Sequence, residues 1–261
     1  MKMCNKKKSI FRNTFLLLVL LTVSFAFINK EKPTLYIIGD STVRNTNPPY
    51  MGWGTAIAAL LDTTKINVAN NAMAGRSTRT FIKEGRWAKV DSMLKPGDYV
   101  MMQFGHNEGS QPDTSKAGYR GVLKGTGEET KELIWPDGKP ETVHTYGWYL
   151  RQFIHDAKAK GAIPIVLSMI PRNQWKDNKV IRANNDYGKW AKEIAGQEGA
   201  YFIDLNGITA DKYDKMGPVK VKALFPTDHT HTDSIGATIN AQSIIKGLKK
   251  QRKITLNAYR K

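Results

Sequence analysis

A serine, a glycine, an asparagine and an aspartate–histidine pair, in that order, follow apolar segments of this 261-residue chain or sit in turns. Gly39-Asp40-Ser41-Thr42 closes the apolar run Leu35–Ile38. A serine on the sharp turn leaving a strand, beside a glycine that permits tight geometry, projects its hydroxyl into a crevice, although serine is also a common turn and cap residue. Asn70-Asn71-Ala72-Met73-Ala74-Gly75-Arg76-Ser77 follows the next apolar run. There Gly75, lacking a Cβ, could bring a backbone N–H close to a ligand as an anion-stabilising donor. Phe104-Gly105-His106-Asn107 follows the third run, and the Asn107 amide can donate to a developing oxyanion.

Pro226-Thr227-Asp228-His229-Thr230-His231-Thr232-Asp233 precedes the final helical segment. A carboxylate three residues before a histidine in a turn can reach back to one ring nitrogen, leaving the other to deprotonate a serine, and Asp228 and His231 have that spacing. His229 adjoins Asp228, and neighbouring side chains diverge, so it is the poorer base. A rival reading is metal, since His229 and His231 on an extended segment would share a face near Asp228 or Asp233. Singly the blocks also read as ordinary turns; together they supply nucleophile, two donors, acid and base. Gly75-Arg76-Ser77-Thr78-Arg79 lacks the second glycine of G-x-S-x-G, and Gly52-Trp53-Gly54 lacks the third glycine of a dinucleotide fingerprint.

The elements that must position these residues alternate short apolar runs with helix-period segments. Strands are expected at Leu35–Ile38, Ile66–Ala69, Tyr99–Phe104, Ile163–Met169 and Tyr201–Leu205. Helices are expected near 55–61, 87–94, 145–160, 180–198 and 234–250. Continuous Ile/Val/Leu strands with helical crossovers predict a five-stranded parallel sheet covered on both faces, a three-layer α/β/α, doubly wound, flavodoxin-like fold. The four blocks then lie where such a fold presents its crevice. Residues 108–142, rich in Gly and Pro, read as a loop insertion after the third strand that shapes a substrate site. The basic cluster of the last helix, including Lys246, Lys249 and Lys250, reads as a solvated face.

Lys2 to Arg12 is basic and Thr14 to Ile28 is an uncharged, largely apolar run of a length typical of a secretory signal and short for a bilayer span. Residues 1–28 are therefore expected to be a signal peptide and 29–261 one exported domain, periplasmic or extracellular, with no stable membrane span after cleavage. An uncleaved anchor is the alternative. Forty Lys and Arg against 23 Asp and Glu give a net charge of +17; without the signal segment the excess is 12. That balance favours polyanionic partners. Export demotes nucleic acid among them and favours an acidic polysaccharide. Cys4 is the only cysteine, which excludes a disulfide framework, a cysteine-based metal centre and a cysteine nucleophile from the mature domain.

The four blocks together resemble the SGNH hydrolases, also called the GDSL family, whose motifs carry Ser, Gly, Asn and His. Ser41, Gly75, Asn107 and Asp228 with His231 fall on the family positions in order, and the resemblance covers residues 34 to 250. Gly39-Asp40-Ser41-Thr42-Val43, Gly75-Arg76-Ser77 with Arg79-Thr80-Phe81, and Gly125-Thr126-Gly127-Glu128-Glu129 are similar to rhamnogalacturonan acetylesterases, which remove acetyl groups from pectin. One departure is Glu108, where the family's usual residue is Asp. The resemblance implies that Ser41 attacks an ester carbonyl with His231 as base and Asp228 as its partner. The oxyanion would be held by Ser41 N–H, Gly75 N–H and the Asn107 amide, with no metal or organic cofactor required. The substrate would be an acetylated acidic polysaccharide or oligosaccharide, against which Trp53, Trp135, Trp148 or Trp175 could stack if they are not core. Two other readings keep parts of this picture: a lipase or lysophospholipase with the same machinery, and a non-catalytic polyanion-binding module.

Overall fold

The structure, a computed structural model, describes residues 31–261; the expected signal segment lies outside them. Its first half contains β1 (Thr34–Gly39), a short helix α1 (Trp53–Ala56) that tightens into a 3-10 turn, β2 (Asn67–Asn70), α2 (Thr78–Lys83), α3 (Arg86–Asp91) and β3 (Tyr99–Gln103). A hairpin of β4 (Thr130–Ile134) and β5 (Pro140–His144) leads into α4 (Tyr146–Ala159), then β6 (Ile163–Leu167) and a second, minimal hairpin of β7 (Trp175–Lys176) and β8 (Lys179–Val180). The chain ends with α5 (Tyr187–Gln197), β9 (Tyr201–Ile203), α6 (Leu205–Met216), α7 (Pro218–Lys222), α8 (Ser234–Lys250) and a 3-10 turn.

Five parallel strands form one sheet in the order β2-β1-β3-β6-β9. Counted within the sheet this is 2-1-3-4-5, the flavodoxin-like doubly wound order, and its crossover direction reverses between β1 and β3. Side chains alternate across the sheet as the pleat requires. Tyr36, Ile38, Val100, Met102 and Val166 pack with Phe81, Trp87, Phe153 and Ile194 of the helices on one face. Leu35, Ile37, Met101, Ile165 and Leu167 pack with Trp53, Leu205, Ile244 and Leu248 on the other. The three-layer α/β/α fold follows from that division. Among the described residues no helix is long and apolar enough to cross a membrane.

Several elements differ from the expected ones: α2, α6 and α7 were not expected, Leu205 opens α6 in place of closing a strand, and three further differences have identifiable causes. The helix expected from residue 180 begins only at Tyr187, capped by the Asp186 side chain, because Asp177 and Asn178 turn the chain with φ of 49° and 57° and pair β7 with β8. Two consecutive left-handed residues are the requirement of a two-residue hairpin turn, and Asp and Asn meet it at least cost. The helix expected over 55–61 starts earlier and is half 3-10. The 108–142 insertion is only partly loop, since β4 and β5 pair antiparallel around a turn containing Asp137-Gly138.

That hairpin is fastened to α2 by a buried ion pair. Arg79, 1% exposed, donates to both carboxylate oxygens of Glu141 at 2.8 and 2.9 Å and to the carbonyls of Gly118 and Gly121 at 3.0 Å each. Partial burial of Glu141 would raise its carboxyl, but hydrogen bonds from Arg79, Lys83 and Trp135 hold it down at about 2. Its contribution to stability is therefore complete above its ordinary value near 4.5 and is lost as pH falls towards 2. Glu141→Gln, which strands the Arg79 charge, is expected to cost about 3 kcal/mol and ~10 °C in Tm at neutral pH, with the difference from wild type shrinking in acid. Calorimetry across pH checks both; an unchanged Tm at pH 7 would remove the pair from the account.

Candidate active site

β1 delivers Ser41 at the carboxyl edge of the sheet beside the crossover reversal. The turn after it closes with Val43 N–H and Arg44 N–H donating to the Asp40 carbonyl at 3.2 and 3.1 Å. Beneath it runs a buried polar chain: Trp53 Nε1–H donates to Gln103 Oε1 at 2.8 Å, Gln103 Nε2 to Thr42 Oγ1 at 2.7 Å, and Thr42 Oγ1 to Asp40 Oδ1 at 2.8 Å. Asp40 is fully buried, and burial pushes its carboxyl up to about 6 against the Thr42 hydrogen bonds. Trp53 is 0% exposed, so of the two roles open to it, sugar stacking or core, it has the second: its indole holds the serine turn from within the core. Neither Gln103 nor Trp53 was singled out by the motifs. The signal available was the lone polar side chain of the apolar strand Tyr99–Phe104.

Ser41 and His231, 190 residues apart, meet with Oγ 2.8 Å from Nε2. His231 Nδ1 lies 2.7 Å from Asp228 Oδ2, while Asp228 Oδ1 accepts the backbone N–H of Thr230 and of His231, each at 2.7 Å. Partial burial opposes the Asp228 charge, yet these hydrogen bonds and the imidazole hold its carboxyl at about 2. An ionised carboxylate only accepts, so Nδ1 of a neutral imidazole must carry the proton and Nε2 presents its lone pair to Ser41. The Asp228–His231 segment is located by α8, whose first turn is capped by Asp233, and by paired hydrogen bonds between Thr232 and Met51. The Tyr50 ring stands 5.4 Å from the imidazole, tilted by 54°. Both His231 nitrogens are thus engaged, whereas His229 is exposed and its carbonyl accepts from Asn173 N–H at 2.8 Å. Among the described residues no group of three His, Cys, Asp or Glu side chains could hold a metal ion.

The other two blocks are laced to the first. Met73 N–H donates to the Gly39 carbonyl at 3.0 Å. Gly75 has φ of 77° in the turn after β2, and a Cβ there would meet nothing within 4 Å. The backbone conformation, more than any local crowding, therefore selects glycine at this position. Asn107 donates from Nδ2 to the Arg76 carbonyl at 3.0 Å and accepts at Oδ1 from Arg120 Nη1 at 3.0 Å. Arg120 consequently fixes which end of the amide is which, and one Nδ2 hydrogen remains to be donated. The buried carboxyl of Glu108 joins the blocks by accepting backbone N–H of Thr78 at 2.9 Å, Gly105 at 3.0 Å and Asn107 at 2.9 Å. Burial, with the Asp40 charge near it, pushes this carboxyl up to about 8 against those three bonds. His106 is held down to about 3 by burial and by the Arg172 charge, so it is neutral and is no competitor to His231.

A parallel doubly wound sheet carrying a serine, an imidazole and an ionised carboxylate in one hydrogen-bonded line, at its carboxyl edge, is the arrangement of a serine hydrolase. The sequence profile of the GDSL-like lipase/acylhydrolase family matches residues 37–236, and this chain is a member of that family. It is 33% identical to the rhamnogalacturonan acetylesterase of Emericella nidulans over 82% of this chain and 84% of that one. It is 28% identical to the Bacillus subtilis rhamnogalacturonan acetylesterase RhgT, over 84% and 90%. Among solved structures, the Bacillus subtilis protein YxiM superposes with a TM-score of 0.69 at 26% identity, over 85% of this chain and 57% of that longer one. Axe2, an acetylxylan esterase of Geobacillus stearothermophilus, shares the fold with a TM-score of 0.54 at 19% identity.

Proposed function

We propose that this protein is an exported serine esterase that removes O-acetyl groups from an acidic plant polysaccharide, rhamnogalacturonan, through an acetyl-enzyme on Ser41. The observation that carries the reading is the 2.8 Å contact of Ser41 Oγ with a His231 whose other nitrogen is bound to an ionised Asp228. Ser41 Oγ attacks the acetyl carbonyl carbon while its proton passes to His231 Nε2. The oxyanion accepts hydrogen bonds from Ser41 N–H, Gly75 N–H and the free Nδ2 hydrogen of Asn107. His231 then gives the proton to the departing sugar oxygen, and the C–O ester bond breaks. Water, deprotonated by the same nitrogen, attacks the acetyl-serine and releases acetate, restoring Ser41.

The substrate class is supported by relatives that bear the rhamnogalacturonan acetylesterase name and by charge. Galacturonate carboxylates give the basic excess of the chain something to attract. Arg120 and Arg172 stand beside the proposed oxyanion donors, the latter with Nη2 on the His106 carbonyl at 3.2 Å and Nε buried without a partner. Acetate release from acetylated rhamnogalacturonan, together with a chain-length series of nitrophenyl esters, tests the reading. Acetate should be the preferred acyl group. Preference for octanoate would instead make this a lipase, and salt-sensitive pectin binding without hydrolysis of any ester would make it a binding module.

The donor role of Asn107 has its own test. Asn107→Ala is expected to lower kcat by on the order of 10²- to 10³-fold. Arg120→Met, which leaves the amide in place but frees its orientation, should lower kcat less and leave KM for nitrophenyl acetate near wild type, with Arg120→Lys recovering part of the loss. An Asn107→Ala enzyme within about threefold of wild type would mean that the oxyanion is held elsewhere.

A further inference from the structure

A large recess with mostly apolar walls lies away from Ser41. It is a cavity of about 730 Å³ under the β4–β5 hairpin, walled by Tyr119, Trp135, Trp148, Lys83, Lys139 and Glu141 among others. None of Ser41, Gly75, Asn107, Asp228 or His231 lines it. Its volume is that of a small-ligand site, and its walls combine two kinds of surface. Trp135 and Trp148 give indole planes, the first edge-on to Tyr119 with centroids 5.7 Å apart, the second stacked on His144 at 3.7 Å and 9°. Between them stand fixed charges. The Trp135 indole N–H donates to Glu141 Oε2 at 2.6 Å, Lys83 pairs with the same carboxylate, and its Nζ sits 3.6 Å from the centroid of the Trp135 ring. Lys139 and Asp137 form a solvent-facing pair at 2.7 Å on the hairpin turn.

We propose that this cavity is a saccharide subsite that binds a pyranose unit of the polysaccharide whose acetyl groups are removed at Ser41. This rests on the reading of the chain as a carbohydrate esterase. A pyranose has apolar C–H faces suited to indole planes and a rim of hydroxyls suited to charged donors and acceptors, and this cavity offers both. An acyl chain would be poorly matched, because it would take the Lys83–Glu141 and Lys139–Asp137 pairs out of water and offer them no hydrogen bond in return. Charge complementarity singles out the acidic glycan as occupant: Arg79, Lys83 and Lys139 outnumber Asp137 and Glu141 in the wall. The site is rigid in advance of binding, since the buried Arg79–Glu141 pair fixes the hairpin against α2, and a preformed site binds without an ordering cost. It is also connected to the chemistry. Tyr119 walls the cavity while the next residue, Arg120, holds the Asn107 amide, so one turn of chain serves both places. A polymer lying across the insertion would engage the cavity with one sugar and present the acetyl group of another to Ser41.

The test uses the full chain. Trp135→Ala removes one plane, and Thr142→Trp fills the cavity from an exposed lining position, leaving the Arg79–Glu141 pair untouched. Both should raise KM for acetylated rhamnogalacturonan polymer about tenfold, as loss of an anchoring aromatic does, while kcat/KM for nitrophenyl acetate stays within about twofold of wild type. Independently of turnover, both should weaken binding of deacetylated rhamnogalacturonan oligosaccharides, followed by line broadening of the tryptophan indole resonances. Unchanged polymer KM and unchanged oligosaccharide binding in the Thr142→Trp protein would overturn the subsite and leave the esterase reading standing. A wild-type protein that binds these oligosaccharides at the hairpin but releases no acetate would support the subsite and sink the esterase reading.

Discussion

Ser41→Ala is expected to lower kcat for acetate release by on the order of 10⁶-fold, and His231→Ala by about as much, with the double variant no worse than either. The reason is that the two groups act in one step. A hydroxyl is a feeble nucleophile at neutral pH until an imidazole 2.8 Å away takes its proton, so removing either partner removes the whole covalent route. Substrate affinity should survive, because Ser41 is 8% exposed and offers the polymer little contact area. The measurement is single-turnover acetate release, with oligosaccharide binding by the Ser41→Ala protein as the control. Residual activity within about a hundredfold of wild type in Ser41→Ala would transfer the nucleophile elsewhere.

Asp228→Asn is the second large effect, about 10⁴-fold in kcat. The asparagine fits: its Oδ1 can go on accepting the backbone N–H groups of Thr230 and His231 that Asp228 Oδ1 accepts at 2.7 Å. Its Nδ2 then faces His231 Nδ1 as a donor. The imidazole must answer with a lone pair at Nδ1, which puts the proton on Nε2 and leaves nothing to accept the proton of Ser41. The loss is therefore one of tautomer, and folding stability at pH 7 should change far less than activity does. Because the Asp228 carboxyl is held at about 2, its own protonation contributes to an acid limb of activity only near that pH, and an acid limb at higher pH reports another group. A loss of tenfold or less in Asp228→Asn would mean that the imidazole is oriented by its packing on Tyr50.

What could be read from the chain beforehand follows the physics of each feature. Strands buried on both faces announce themselves as apolar runs, so the parallel, doubly wound sheet was legible in Leu35–Ile38, Tyr99–Phe104 and Ile163–Met169. The meeting of Ser41 with His231 and Asp228 was legible because loops at the strand ends of such a fold converge on one edge, and the structure brings the three into hydrogen-bonding line there. Half-exposed structure was harder to read. The β4–β5 strands bury only Leu133 and Val143, too few to stand out among the glycines and prolines of the insertion, although Asp137-Gly138 was an available turn signal. Asp177-Asn178 was a similar signal, outweighed by the helical pattern after it. The supports of the site were the least legible. Gln103, Trp53 and Arg120 act through partners 50, 61 and 13 residues away, and no spacing rule encodes such pairings.

Deacetylation of an acidic glycan by Ser41, as proposed, has one direct test. Mass spectrometry of acetylated rhamnogalacturonan oligosaccharides, before and after incubation with wild-type protein and with Ser41→Ala, reads reaction and substrate together. Wild type is expected to shift the oligosaccharides down by whole acetyl groups with free acetate appearing in step, while Ser41→Ala leaves every mass in place. Unshifted masses with the wild-type protein, or the same shift with Ser41→Ala, would contradict the proposal.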